Sequence, residues 1–301
     1  MKILNNHKIQ YQVLRTFYKM APFNIKGGLP NNEKGYEKGL ISCLIISNKI
    51  ALLNNLLEDL KLQTLPRDLF EVVIVFDLPG KEFLDLIQKH KKHLNITYHQ
   101  SHKPLRVLSN LRNISVSLSS GEFFLFLDDD TRIFQSNFLE SGLSLFKEYD
   151  VKVVIPHANS LYGIMKKHYD FLDQYSFTNR CCFYHRQVIE NIGGFLKDLQ
   201  TYEDIELSIR LMINDSKVFW AEELDYFHPP LYFDTMQKPL AIGQTIFQMC
   251  RSYSLPFWLL VYFNALRFLP YGLIPGQRNR QWFKISLGVL LYPFTGKSYY
   301  Y

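Results

Sequence analysis

The sequence predicts an α/β fold, a mostly parallel sheet with flanking helices, followed by a basic and aromatic helical appendage. Three observations carry this. Apolar runs of strand length recur at residues 40–47, 70–76 and 123–127. Stripes of apolar residues at helical spacing stand between them. Polar residues then close the runs, at Ser47, Asp77 and Asp128. Such alternation is the pattern of parallel strands joined by helical crossovers.

The elements follow in order. Residues 1–38 read as an N-terminal arm, with a short helix near 11–20 and a turn or linker at 27–32 (Gly27, Gly28, Pro30, Asn31, Asn32), packed on the main domain. The main domain is expected at 39–234. After the first strand, Leu53, Leu56, Leu57 and Leu60 mark a helix that ends before Pro66. The strand at 70–76 closes on Asp77 and the turn pair Pro79-Gly80. Phe83, Leu86 and Ile87 give the next helix, residues 95–98 a short strand, and Val107, Leu111, Ile114 and Leu118 another helix. Phe123 to Leu127, five apolar residues in a row, is a strand buried on both faces that runs into Asp128-Asp129-Asp130. The second half, 133–234, is less regular. Strands are expected at 151–155, 180–184 and 217–221, with a helix at 186–191. A further helix is capped by Thr201, with Asp204 three residues on and Ile205, Ile209 and Met212 on its apolar face. His228-Pro229-Pro230 ends the pattern.

Composition bounds the class. With 301 residues, 47% hydrophobic and 21% charged, the chain is an ordered globular protein. Cys43, Cys181, Cys182 and Cys250 have no metal-ligand spacing, so reduced thiols in the cytoplasm are expected, and residues 1–20 show no signal-peptide core. The net charge of +6 is localised: Lys238, Arg251, Arg267, Arg278, Arg280, Lys284 and Lys297 follow Asp234 and no acid does. The apolar segment at 256–270 is interrupted by Asn264, Arg267 and Pro270, short of the roughly 20 residues that span a bilayer. With a second apolar piece at 285–294, the tail (235–301) reads as a segment in the membrane interface, peripheral at the inner face of the cytoplasmic membrane. A packed appendage or an oligomer interface is the alternative.

Three adjacent carboxylates at a strand end raise the cost of ionising one another. Either they are a solvated acidic turn or they hold a hard divalent cation through oxygen. In parallel sheets ligands bind beyond the carboxyl ends of strands, where Ser47, Asp77 and Asp128 all fall.

From about Ile41 to His228 the chain resembles the family 2 glycosyltransferases, inverting enzymes with a GT-A-type fold. The resemblance rests on five features in order: Ser47-Asn48 with Gln63-Thr64-Leu65-Pro66; the strand ending in Asp77; Leu111-Arg112-Asn113, similar to an Ala-Arg-Asn; the strand ending in Asp128 and Asp130, similar to Asp-x-Asp; and Gly193-Gly194-Phe195 followed by Glu203-Asp204. It departs at Ile45-Ile46, where a Pro-x-Tyr-Asn is usual, at Leu78-Pro79-Gly80 after the base-side aspartate, and at Leu111.

The resemblance implies a transfer from a nucleoside-diphosphate sugar, UDP-linked by preference, to a hydroxyl of a glycan or lipid-linked acceptor such as a surface polysaccharide. Asp204 would be the general base, with Glu203 its rival. Ser47, Asp77, Arg112 and Asp128 would bind the nucleotide, and Asp130 and His228 would hold Mn²⁺ or Mg²⁺. Arg180 and Glu203 would lie on the acceptor or diphosphate side. Asp129 is expected to do little, and His90, His93, His99 and His102 to be solvated. No nucleic-acid partner is expected. A non-catalytic glycan-binding or scaffolding relative is the alternative. A haloacid-dehalogenase-type phosphatase is excluded, because Arg132 stands where that motif needs Thr or Val and Asp128 follows too many strands.

Overall fold

The structure is a computed structural model that describes residues 2–3, 9–20, 25–29, 35–78, 80–102, 104–160, 179–214, 216–229 and 233–299. Of the expected turns, Pro30, Asn31, Asn32, Pro79 and Pro230 lie outside the described residues.

Among the described residues eight strands form one sheet: β1 (Lys2–Ile3), β2 (Glu37–Ser47), β3 (Phe70–Phe76), β4 (Ile96–Gln100), β5 (Gly121–Asp128), β6 (Val153–Ser160), β7 (Cys181–His185) and β8 (Val218–His228). Their order is β1-β8-β6-β7-β5-β2-β3-β4. The pairs β2–β3, β2–β5, β3–β4 and β6–β8 are parallel, whereas β7 runs antiparallel to both β5 and β6, and β1 antiparallel to β8. Because β7 alone reverses between β5 and β6, the C-terminal ends of β2, β3, β5, β6 and β8 share one edge with the N-terminal end of β7. Chain direction alone therefore sends Ser47, Asp77, Asp128, Arg180 and His228 to the same edge.

The helices are α1 (Ile9–Met20), α2 (Ile50–Lys61), α3 (Lys81–Lys91), α4 (Leu108–Leu118), α5 (Phe138–Tyr149), α6 (Arg186–Asn191), α7 (Glu203–Ile213), α8 (Gln237–Gln248), α9 (Leu255–Leu266) and α10 (Gln277–Leu291). The central strands are buried on both sides, with Leu44, Ile45, Val73, Ile74, Phe124, Leu125, Phe126 and Leu127 fully enclosed. The core is accordingly split by the sheet: α2, α3 and α5 pack one face, α4, α6 and α7 the other.

Several local expectations change. Helix α5 was not anticipated, and β8 runs seven residues beyond the expected strand at 217–221. Thr201 does not cap α7. The preceding residue is Tyr202, held in the left-handed region at φ 64°, and no side chain caps the helix. His90 is not solvated: it is fully buried on α3 beside Asn54 (3.1 Å), and burial lowers its pKa.

The tail forms three helices; within the interrupted apolar run at 256–270, α9 stops at Leu266 and residues 269–273 form a 3-10 turn. Helices α8 and α10 touch backbone to backbone, for a Cβ on Gly288 would collide with the Pro239 carbonyl. The tail also reaches the sheet domain. Buried Tyr253 donates to Glu206 at 2.7 Å, and Phe257 and Met249 pack on Ile213 at the end of α7.

Candidate active site

The site is assembled by backbone pairing at the carboxyl edge. After Asp130 the chain bridges to the end of β8, where Arg132 N–H donates to the Phe227 carbonyl (2.8 Å) and Phe227 N–H to the Arg132 carbonyl (2.9 Å). Asp59 of α2 pins this segment, accepting from the Arg132 guanidinium at 2.6 and 2.8 Å and from Ile133 N–H at 3.0 Å. On the other flank Asp128 N–H and the Thr131 hydroxyl both donate to the Arg180 carbonyl, at 3.1 and 2.7 Å. These bonds bring His228 next to the acidic triplet.

His228 Nε2 lies 2.8 Å from Asp130 Oδ1 and 3.8 Å from Asp128 Oδ2. One donor atom from each of the three residues falls within 4.8 Å of the others. Ligand atoms about 2.0–2.6 Å from a shared cation stand at such separations, and two carboxylates plus an imidazole suit an octahedral ion such as Mn²⁺ or Mg²⁺. The residues therefore fit the implied metal. The carbonyl of Pro229 accepts from His228 Nδ1 at 2.6 Å, which leaves Nε2 to face the aspartates. Burial opposes charge on this imidazole, but the Asp128 and Asp130 carboxylates prevail and raise its pKa. Burial likewise works against ionised Asp128, yet His228 and Arg112 hold it well below the usual carboxylate range.

Arg112 of α4 is buried under this cluster. Its Nη2 donates to Asp128 Oδ1 at 2.7 Å, its Nε is 3.6 Å from Glu203 Oε1, and its guanidinium lies over the Phe126 ring at 5.5 Å. Glu203 is enclosed at 3% side-chain exposure, and burial together with neighbouring Asp204 pushes its pKa up to about 8. Asp204, one residue on, is only partly buried. Its carboxylate accepts from Asn179 N–H at 3.2 Å and Ile205 N–H at 2.8 Å, and burial also raises its pKa.

The turn before α7 sets these two acids. Gly193 and Gly194 both take positive φ, at 71° and 72°. Asn113 holds the turn through both Phe195 backbone groups at 2.9 Å, and Arg210 donates to the Ile192 and Gly194 carbonyls at 2.8 Å each. The arm joins from the other side: Gly27, Gly28 and Leu29 N–H groups donate to Ile192, Phe195 and Gly193.

All four expected nucleotide contacts are engaged within the protein: Arg112 and Asp128 pair with each other, and Ser47 and Asp77 have partners of their own. The Ser47 hydroxyl donates to Asp129 at 2.8 Å, so Asp129, expected to do little, ties β2 to the triplet. Burial, opposed by that bond and reinforced by Asp130 and Asp128, raises the Asp129 pKa to about 6. Asp77 accepts from Leu105 and Arg106 N–H at 2.8 and 3.0 Å and so anchors the segment before α4. Its carboxylate faces the loop rather than open solvent, at 7% exposure. The sequence reading missed Asp59 and gave Arg132 no structural role; an acid next to Leu60 in the leucine stripe of α2 was the available signal.

A Rossmann-like sheet carrying Asp-x-Asp and a histidine at its carboxyl edge defines a GT-A-type protein. Residues 43–188 match the family described as Glycosyl transferase family 2. Poly(ribitol-phosphate) beta-N-acetylglucosaminyltransferase TarS of Staphylococcus aureus is 31% identical over 86 residues, 29% of this chain. The match spans 15% of the length of that curated relative. Among solved structures, S. aureus TarS 1-349 in complex with UDP-GlcNAc superposes with TM-score 0.61 at 16% identity, covering 81% of this chain and 78% of that one. Mannosyltransferase PcManGT from Pyrobaculum calidifontis, in complex with GDP-Man and Mn²⁺, superposes with TM-score 0.62 at 12% identity, covering 96% of each chain. At such identities the likeness establishes the fold.

Proposed function

We propose that the protein is an inverting, metal-dependent glycosyltransferase. It moves a sugar from a nucleoside-diphosphate donor, UDP-linked by preference, to a hydroxyl of a glycan or lipid-linked acceptor. The observation that carries this is the convergence of Asp128, Asp130 and His228 beside Arg112, Glu203 and Asp204 at one sheet edge. The nucleotide and metal complexes of the neighbouring folds, UDP-GlcNAc with one and GDP-Man with Mn²⁺ in the other, support it.

In this reading Asp128, Asp130 and His228 hold the cation. Bound there, it neutralises the charge that develops on the departing diphosphate. Asp204 takes the proton of the acceptor hydroxyl as that oxygen attacks the anomeric carbon opposite the leaving group, which inverts the configuration. Its partial exposure gives an acceptor access, whereas Glu203 is enclosed and paired toward Arg112. Burial raises the Asp204 pKa, which strengthens it as a base once ionised. Arg112 keeps Asp128 ionised and oriented.

The test is Asp204→Asn: transfer from UDP-sugars is lost, while UDP with Mn²⁺ still raises the melting temperature. Asp130→Ala is expected to lose that metal-dependent rise. Absence of any shift in the wild type, with every nucleoside diphosphate tried, would favour a non-catalytic relative.

A further inference from the structure

Helix α9 is apolar on both sides but covered on one. Its inner side buries Phe257 and Val261 against Ile213, Met249 and Tyr253. Its outer side, at i, i+4 and i+8, leaves Leu255 65%, Leu259 36% and Phe263 63% exposed. A helix on the surface of a globular domain turns its polar side to water. Here no charged residue lies between Leu255 and Leu266. Past its end Leu273 and Ile274 are 89% and 50% exposed. Single exposed apolar residues are ordinary, but three aligned on one helix face mark a surface that meets something.

The charge says what. Residues 235–301 carry seven basic side chains and no acid, with exposed Arg251 just before α9 and exposed Arg278 and Arg280 beyond it. We propose that the outer face of α9 seats on an anionic lipid surface, its leucines and Phe263 entering the acyl boundary while the surrounding basic residues meet the headgroups. Twelve residues are too few to cross a bilayer but suit a helix lying in its plane. Among the described residues no helix is long and apolar enough to cross a membrane. A second copy of the chain is the poorer occupant, because two acid-free basic tails brought face to face repel, whereas anionic headgroups compensate them. The docking deepens the lipid-linked acceptor reading above and rests on it for purpose only.

The experiment is co-sedimentation of the full chain with phosphatidylcholine vesicles, with and without phosphatidylglycerol. Binding is expected only with phosphatidylglycerol, weakening as salt rises. The double variant Leu259→Glu/Phe263→Glu, both at exposed positions, should keep the wild-type circular dichroism and melting temperature while vesicle affinity falls roughly tenfold or more. Equal binding by variant and wild type, or no binding by the wild type, overturns the proposal. So does concentration-dependent self-association of the wild type that the variant abolishes without any vesicle binding. The assay contains no sugar nucleotide, so its failure is separate from a failure of donor binding.

Discussion

The Arg112 guanidinium donates to Asp128 at 2.7 Å while standing 3.6 Å from Glu203, so one buried cation serves carboxylates from both β5 and α7. Its Nε and Nη1 make no hydrogen bond among the described residues. Removing it leaves two acids facing each other without compensation. Arg112→Ala is expected to cost about 3–5 kcal/mol in urea unfolding. Arg112→Lys should recover only part of this, because a point charge cannot reach both acids as the planar fork does.

Glu203 gives a pH dependence with a definite sign. Its pKa rises from 4.5 to about 8 on folding, because burial and Asp204 disfavour the charged form. Between those values the folded state binds more protons than the unfolded one. The stability it contributes is therefore full below about pH 4.5 and is lost as pH rises toward 8. Chemical denaturation in EDTA should show this decline, and Glu203→Gln should make it shallower.

Asp59 governs the acidic triplet from a distance. Asp59→Ala would strip the Arg132 guanidinium and Ile133 N–H of their acceptor, at about 3 kcal/mol. Since that segment holds Asp130 beside His228, Mn²⁺ affinity measured by calorimetry should fall as well. A melting-temperature loss with unchanged Mn²⁺ affinity would mean that the pin supports the fold alone.

The α8–α10 contact makes a separate prediction. Gly288→Ala places a methyl against the Pro239 backbone, which must move. The expected cost is about 1–3 kcal/mol. Limited proteolysis should then cut the tail faster, while Mn²⁺ binding persists.

Strands β2, β3 and β5 were legible because they are buried on both faces and so read as nearly unbroken apolar runs. Asp128, Asp130, Glu203 and Asp204 were legible as acids at element ends. Helix α5 carries a plain stripe, Phe138, Leu139, Gly142, Leu145 and Phe146, but its central glycine, needed to clear the Phe183 ring, weakens the helical signal. The internal partners of Ser47 and Asp77 depend on which loops cross the sheet edge, and the burial of His90 on how α3 packs against Asn54 of α2; no local spacing encodes either.

The Arg132–Phe227 bridge also has a temporal meaning. The aspartates of the triplet leave the ribosome about 100 residues before His228, and β8 must add to β6 before the histidine can reach them. A growing chain would therefore hold two of the three proposed cation ligands before the third can reach them. Capture of Mn²⁺ during refolding should lag behind formation of β2, β3 and β5 and report the moment the last strand locks into the sheet.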